Sequence, residues 1–409
     1  MYTILAWAII VTSATFLLLT VVIVVSKAWR ETLELRYRRR RKRLEPQVLQ
    51  YVHGDQSTIS DVIPDATASD VPVLERVLLD NIQQVRGIER ERMTLALDDL
   101  GSIDRWLDRL DHRRWWSRAA AAEKLGQSGS PRAAAGLVRT LNDATPEVRM
   151  RAAKGLGVLG GGDAIRVLIG ALNEPNRWST IRVADILTGM GRRVVDELTS
   201  RFDELETSGK LAALDVLGRI RPLQSVPWLV GHLDDSHPDI RARACHALGC
   251  IADPHTASDL ARALQDDEWP VRAMAAKALG RTKSAESLGA LRGALADQEW
   301  WVRSNAARAL RSIGQRGLRI LEEALGDDDR FARHQAVLML QESGVVDARI
   351  AELNHPNDEV RAKAKRFAQH LVDAGQTDRL QVAASEHATE KVREALKAIL
   401  SHGAGEASA

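Results

Sequence analysis

The chain has 409 residues, of which 45 % are hydrophobic and 27 % charged, and its formal net charge at pH 7 is +2. Aromatic residues make up only 4 %, while Ala and Leu recur throughout; this excludes a disordered chain and favours close helix packing over a string of compact α/β units. The two cysteines, Cys245 and Cys250, lie five residues apart, too close to staple distant parts of a secreted scaffold, and point to a reducing compartment.

The N-terminal element is apolar. Residues 1–26 carry no charged side chain, and residues 4–25 form an almost unbroken apolar run of 22 residues. At 1.5 Å per residue the run is about 33 Å long against a hydrocarbon core of about 30 Å, so a single transmembrane helix is expected over residues 1–26. A cleaved signal peptide would need a basic leading region and a small-residue cleavage site, and the sequence before Ser26 offers neither.

A basic juxtamembrane helix is expected over residues 27–43. Nine Lys and Arg against Glu31 and Glu34 give it +7, so with the whole chain at +2 the remainder, residues 44–409, carries −5. The positive-inside rule then places the N-terminus outside and the rest at the cytoplasmic face of the cell inner membrane, with Trp7 and Trp29 near the two interfaces. Beyond signalling topology, Arg36, Arg38, Arg39, Arg40, Arg41, Lys42 and Arg43 form a cluster suited to anionic lipid headgroups.

Residues 44–69, with Pro46, Gly54 and Pro64, lack periodicity and read as a connector, after which Asp70 is placed as an N-cap. Residues 71–84 and 88–100 pattern as a first helical hairpin, and residues 103–110 as a short helix leading on. From there one phrase recurs: a β-branched or small residue, Arg, a pair of small residues, then Leu-Gly. Clear copies start at Ser117, Val148, Ile240, Val271 and Val302, and weaker ones at Thr180, Gly209, Ala332, Val360 and Val392, a period near 31 residues. Within a copy the apolar positions are the first, fifth, sixth and ninth, a helical stripe, and a second apolar helix separates successive copies.

Each unit is therefore a helical hairpin that cannot bury its face alone. The expected fold is all-α, an α-solenoid of stacked helical hairpins over residues 70–400 preceded by the transmembrane helix, with a flexible polar tail over residues 401–409. The glycine after the leucine fits a left-handed helix C-terminus. An arginine one place into the stripe lies on the buried side and must be paired.

The phrase, with an acidic residue five places before the start at Asp143, Asp235, Asp266, Asp297 and Asp327, resembles the bacterial HEAT repeats of the short, phycobilisome-lyase-like type. The resemblance covers roughly residues 70 to 400. It implies a ladder of Asp–Arg bonds between successive repeats, made here by Arg118, Arg149, Arg241, Arg272, Arg303, Arg333 and Arg361. The copies at Thr180 and Gly209 have Ile181 and Lys210 in place of the arginine, so an interruption of the ladder is expected there, with a kink or change of curvature around residues 175–220.

Two sets of residues suggest a site. The fourth and seventh places of the copies lie opposite the buried arc and hold Arg151, Lys154, Arg243, His246, Lys277, Asn305, Arg308, Lys363 and Arg366. These form a basic stripe on an otherwise acidic body; it is either a solvated helix face or a binding groove. The second set is an aromatic edge two places before the start, Trp115, Trp178, Trp269 and Trp300, doubled by Trp116 and Trp301, serving either stacking between repeats or partner docking.

No catalytic or metal-binding pattern is found: the histidines are scattered, and Asp327, Asp328 and Asp329 lack matching ligands. The expected function is a non-enzymatic, membrane-anchored HEAT-repeat scaffold or adaptor that needs no cofactor. Its partners would be membrane-associated proteins, within a larger membrane assembly. The alternative is a tethered nucleic-acid binder using the basic stripe, which the −5 body disfavours.

Overall fold

Helix dominates because the stripe positions recur at helical spacing and small residues let neighbouring helices approach. The computed structural model describes residues 2–56, 58–174 and 179–406, without the side chains of residues 2–6, 8–14, 30 and 402–406. Among the described residues every regular element is helical. The chain divides into two compact units, Met1–Val167 and Leu168–Ala409.

The first unit contains α1 (Tyr2–His53), α2 (Val71–Ile82), α3 (Ile88–Asp99), α4 (Ser102–Arg109), α5 (Trp115–Ser128) and α6 (Pro146–Leu159). Helix α1 does not stop at the expected connector. Its last turns place Leu44, Val48, Tyr51 and Val52 at i, i+4, i+7 and i+8, a buried stripe that packs on α2 and α3. Arg92 reinforces the contact, donating through Nε to the Tyr51 carbonyl at 3.0 Å. Within the expected connector, residues 44–53 are thus helix, and Ile59–Val62 forms a further short turn capped by Thr58.

The membrane-spanning expectation is corrected. Among the described residues no helix is long and apolar enough to cross a membrane. Helix α1 exposes a run of apolar side chains over residues 16–25, apart from Thr20. Beyond it α1 runs without interruption through the arginine cluster and onto α2.

The second unit contains α7 (Thr180–Met190), α8 (Thr207–Ile220), α9 (Pro238–Ile251), α10 (Trp269–Thr282), α11 (Trp300–Ile313), α12 (Arg330–Glu342), α13 (Asp358–Asp373) and α14 (Glu390–Glu406). Shorter helices such as Ala257–Ala263 and Val345–Glu352 return the chain between them. Helices α7 to α12 pack each on the next in order, and the stripe residues Cys245, Leu248, Ala275, Ala276, Leu279, Ala306, Ala307 and Leu310 are fully buried. The end of α14 extends through residues expected to be a flexible tail.

The glycines of the phrase act differently from expectation. Gly249 and Gly280 sit inside α9 and α10, where a Cβ would lie 2.8 Å from the Cα of Ala278 and of Ala309; at Gly126 in α5 it would lie 2.2 Å from Gly155 Cα. Their role is close helix–helix approach. Helices α8, α9 and α10 end three residues later, on left-handed residues that are not glycine: Arg221 (φ 57°), Ala252 (φ 61°) and Lys283 (φ 53°).

Candidate functional site

The repeat arginines are structural. Arg118, Arg149, Arg241, Arg272, Arg303, Arg333, Arg361 and also Arg393 donate through Nη1 to the carbonyls six and five residues earlier, as Arg272 does to Asp266 at 2.8 Å and Asp267 at 3.0 Å. Each arginine thus fastens the turn ahead of its own helix.

Some of them also reach the next repeat. Arg118, Arg241 and Arg272 each bond both carboxylate oxygens of Asp143, Asp266 and Asp297, at 2.6 to 3.0 Å. The Arg118 bond holds the Asp143 carboxyl below the usual carboxylate range. At Asp266 and Asp297 burial pushes upward, and the bonds from Arg241 and Arg272, with backbone N–H donors, outweigh it. Arg303 differs because the following repeat is shorter and Asp327 is taken by Arg292 at 2.7 Å; its guanidinium lies 4.4 Å from the Phe331 ring centroid instead.

The acidic position has a second role. Asp143, Asp235, Asp266 and Asp297 accept from the backbone N–H two residues on, and His112, His355 and His387 do the same through Nδ1 at 3.1 Å. Three of the scattered histidines are therefore turn residues. Around the copy at Gly209 Asn173 takes over, donating to the Glu204 carbonyl and accepting from the Glu206 N–H.

Part of the predicted stripe and part of the aromatic edge converge in the second unit. Residues four and seven apart on one helix share a face, so α9 presents Asp239, Arg243 and His246, α10 presents Pro270, Met274 and Lys277, and α11 presents Trp301, Asn305 and Arg308. A cavity of about 670 Å³ lies along this face, walled by Trp269 and Trp301 over Leu211, Ala242, Ala273 and Met274. A second of about 340 Å³ shares Met274, Lys277, Trp301 and Asn305 with it and reaches Arg281 and Arg308. The two form one groove across α9, α10 and α11. Asn305 secures its floor, donating through Nδ2 to the Ala273 carbonyl at 2.9 Å.

The charges along the groove are not equivalent. Arg243 is paired with Asp215 at 2.8 Å. Lys277 and Arg308 are exposed and make no ion pair among the described residues. Burial, with the Arg281 charge second, lowers the His246 pKa. Its Nε2 lies 3.6 Å from Cys250 Sγ, which accepts from Arg281 Nη1 at 3.1 Å. Cys245 is sealed in the core, and burial pushes its thiol up to about 12.

Other predicted residues lie elsewhere. Arg151 pairs with Glu123 and Glu147, beside exposed Lys154, in the first unit. Lys363 pairs with Glu359, beside exposed Arg366, on α13. Trp115 and Trp116 are exposed on α5, edge to face at 6.1 Å. Trp178 lies outside the described residues. Trp300 backs Trp301 at 4.8 Å without lining the groove.

The arginines expected at lipid headgroups are partly engaged within the chain. Arg40 and Arg43 reach the buried carboxylate of Asp70, Arg41 joins Glu45 and Asp80, and Arg38 joins Glu34; Arg36, Arg39 and Lys42 stay exposed. The Asp70 side chain does not cap α2. It accepts from the backbone and hydroxyl of Thr67, whose hydroxyl bond lowers its pKa.

Met274 was not among the predicted site residues, and Trp301 was named only as the neighbour that doubles Trp300. Trp301, not Trp300, shares a face with Asn305 and Arg308, and that spacing was the available signal.

Helical hairpins repeating near every 31 residues, with the helices that carry the phrase packed in series within each unit, define an α-solenoid protein. The chain belongs to the HEAT-repeat family: the HEAT-repeat model matches residues 103–186, 195–272 and 259–341, more than half of the chain. This is a fold suited to protein binding and scaffolding. No curated protein matches the chain.

Among solved structures it is similar to an engineered protein (17 % identity, TM-score 0.35, covering 74 % of this chain and 98 % of that one). It is also similar to the complex of CpcE and CpcF of phycocyanin lyase from Nostoc sp. PCC7120 (25 % identity, TM-score 0.30, covering 36 % and 96 %). A third similarity is to Kap121p (12 % identity, TM-score 0.43, covering 89 % of this chain and 49 % of that one); the chain spans about half of Kap121p.

Proposed function

We propose that this protein is a scaffold or adaptor that captures a partner protein in the groove across α9, α10 and α11, acting by binding and not by catalysis, as an accessory member of a larger assembly. The observation that carries the reading is the meeting of two exposed tryptophans over an apolar floor with Lys277 and Arg308, which make no ion pair among the described residues, in a groove formed by cavities of about 670 and 340 Å³. Aromatic side chains in such settings dominate binding energy because they bury large area at small entropic cost. Trp269 and Trp301 are 40 % and 53 % exposed, so that area is still available to a partner.

Site-specific crosslinking tests the reading. A photoreactive amino acid in place of Met274 should give one stoichiometric crosslinked companion in cells, and the same group in place of Leu223, which is 62 % exposed and away from the groove, should not. Equal crosslinking at both positions, or none at Met274, refutes it.

A further inference from the structure

We infer that the groove takes an extended, acidic peptide segment of the partner, with its acidic end over α11; this rests on the protein-binding reading above. The first argument is charge complementarity. Lys277 on α10 and Arg308 on α11 are exposed and make no ion pair among the described residues, whereas Arg243 on α9 is already neutralised by Asp215, and Asp239 adds a negative charge at the α9 end. The positive potential of the groove therefore rises from α9 toward α11, where Arg281 and Arg308 line its continuation.

Spacing supplies the second argument. Lys277 and Arg308 occupy equivalent places on neighbouring packed helices, whose axes lie about 8–10 Å apart. An extended chain advances about 3.3 Å per residue, so carboxylates two or three residues apart match that separation. Met274 and the Trp301 ring line the same cavity as the two cations, toward the N-terminal ends of α10 and α11, and suit apolar side chains of the same segment. The crossing of three helices, on the order of 20–30 Å, accommodates six to nine extended residues.

A single-stranded nucleic acid fits less well. Its phosphates carry a charge at every nucleotide and would be laid against Asp239 and the already neutralised Arg243–Asp215 pair at the α9 end, whereas a peptide can confine its charges to the α11 end.

The test uses the full-length chain and fluorescence anisotropy. The probe is a labelled nine-residue peptide of alternating Asp and Leu, compared with its Asn–Leu counterpart and with a labelled oligothymidylate. The Asp–Leu peptide should bind at least about tenfold more tightly than the Asn–Leu peptide and weaken as salt is raised. Combining Lys277→Glu with Arg308→Glu should remove that preference while leaving the urea midpoint of the chain unchanged, since neither side chain makes an ion pair among the described residues. Trp301→Ala should weaken both peptides.

Equal affinity for the two peptides, an unchanged preference in the charge-reversed variant, no peptide binding, or tighter binding of the oligothymidylate each overturns the inference. The crosslinking at Met274 reports any groove partner whatever its charge, so failure of the acidic preference and failure of the binding reading are distinguished.

Discussion

Removing the carboxylate of Asp297 tests how neighbouring repeats are coupled. Asp297→Ala takes from Arg272 two charge-assisted bonds, 2.7 Å from Nε and 3.0 Å from Nη2, and leaves the Glu299 N–H without its acceptor at 2.8 Å. The two side chains are only 16 % and 12 % exposed, so solvent screens little of the interaction. At about 1 kcal/mol for each charge-assisted bond, somewhat less for the N–H, and with a guanidinium left on two carbonyls, the loss comes to about 3 kcal/mol. For a unit of roughly 240 residues that lowers Tm by about 6–12 °C.

Urea unfolding followed by far-UV circular dichroism measures the loss. Arg333→Leu is the comparison, since among the described residues that guanidinium bonds only the carbonyls of Asp327 and Asp328, and should cost about half as much. In a double-mutant cycle, Arg272→Leu with Asp297→Ala should fall short of the summed single losses by more than about 1 kcal/mol.

The sign with pH follows from Asp297 titrating below its ordinary value in the fold. Its stabilisation is fully present above the unfolded pKa of about 3.9 and is lost as pH falls through the folded value, so the gap between wild type and variant holds from pH 7 to about pH 5 and closes below pH 4. A loss under about 1 kcal/mol at pH 7, or strict additivity in the cycle, refutes the coupling.

Further outcomes follow from single features. Gly126→Ala sets a Cβ 2.2 Å from Gly155 Cα, and overpacking, less the helix propensity that alanine regains, should leave a net loss of about 1–2 kcal/mol, read from the urea midpoint. Lys283→Gly removes a left-handed side-chain-bearing residue from the end of α10 and should raise stability by about 0.5–1 kcal/mol in the same assay. A thiol reagent at pH 8 should titrate only Cys250 in the native chain, because Cys245 is buried with its thiol pushed up to about 12, and both after denaturation.

The repeat was legible because its signals are local: four apolar places in nine residues fix a helix face, and ten starts near a common spacing fix the stacking. The ladder was only partly legible. A bond between repeats needs the acceptor at one spacing, and the shorter step between Val302 and Ala332 removes Asp327 from Arg303, a shift of one residue that has no signature within either copy. The carbonyl clamp escaped notice because its acceptors are backbone atoms, which no residue type announces.

The glycines misled for a related reason. Leu-Gly at a helix end and Leu-Gly inside a close crossing read alike, and only the position of Ala278 or Ala309 across the interface separates them. Residues 44–53 were passed over because Pro46 and Gly54 outweighed the stripe of Leu44, Val48, Tyr51 and Val52. At the groove the sequence named the cations and tryptophans separately. Their meeting depends on which of two adjacent tryptophans turns inward, one step of about 100° on the helix.

Since each clamp from Arg118 to Arg393 closes within seven residues, the turn it secures owes nothing to the hairpin that follows. Excising residues 271–301 would join Pro270 to Val302 and set Arg303 six and five places after Asp266 and Asp267, the carbonyls that Arg272 now holds. Unequal recombination at such seams can lengthen or shorten the array by whole modules, each arriving with its own fastening.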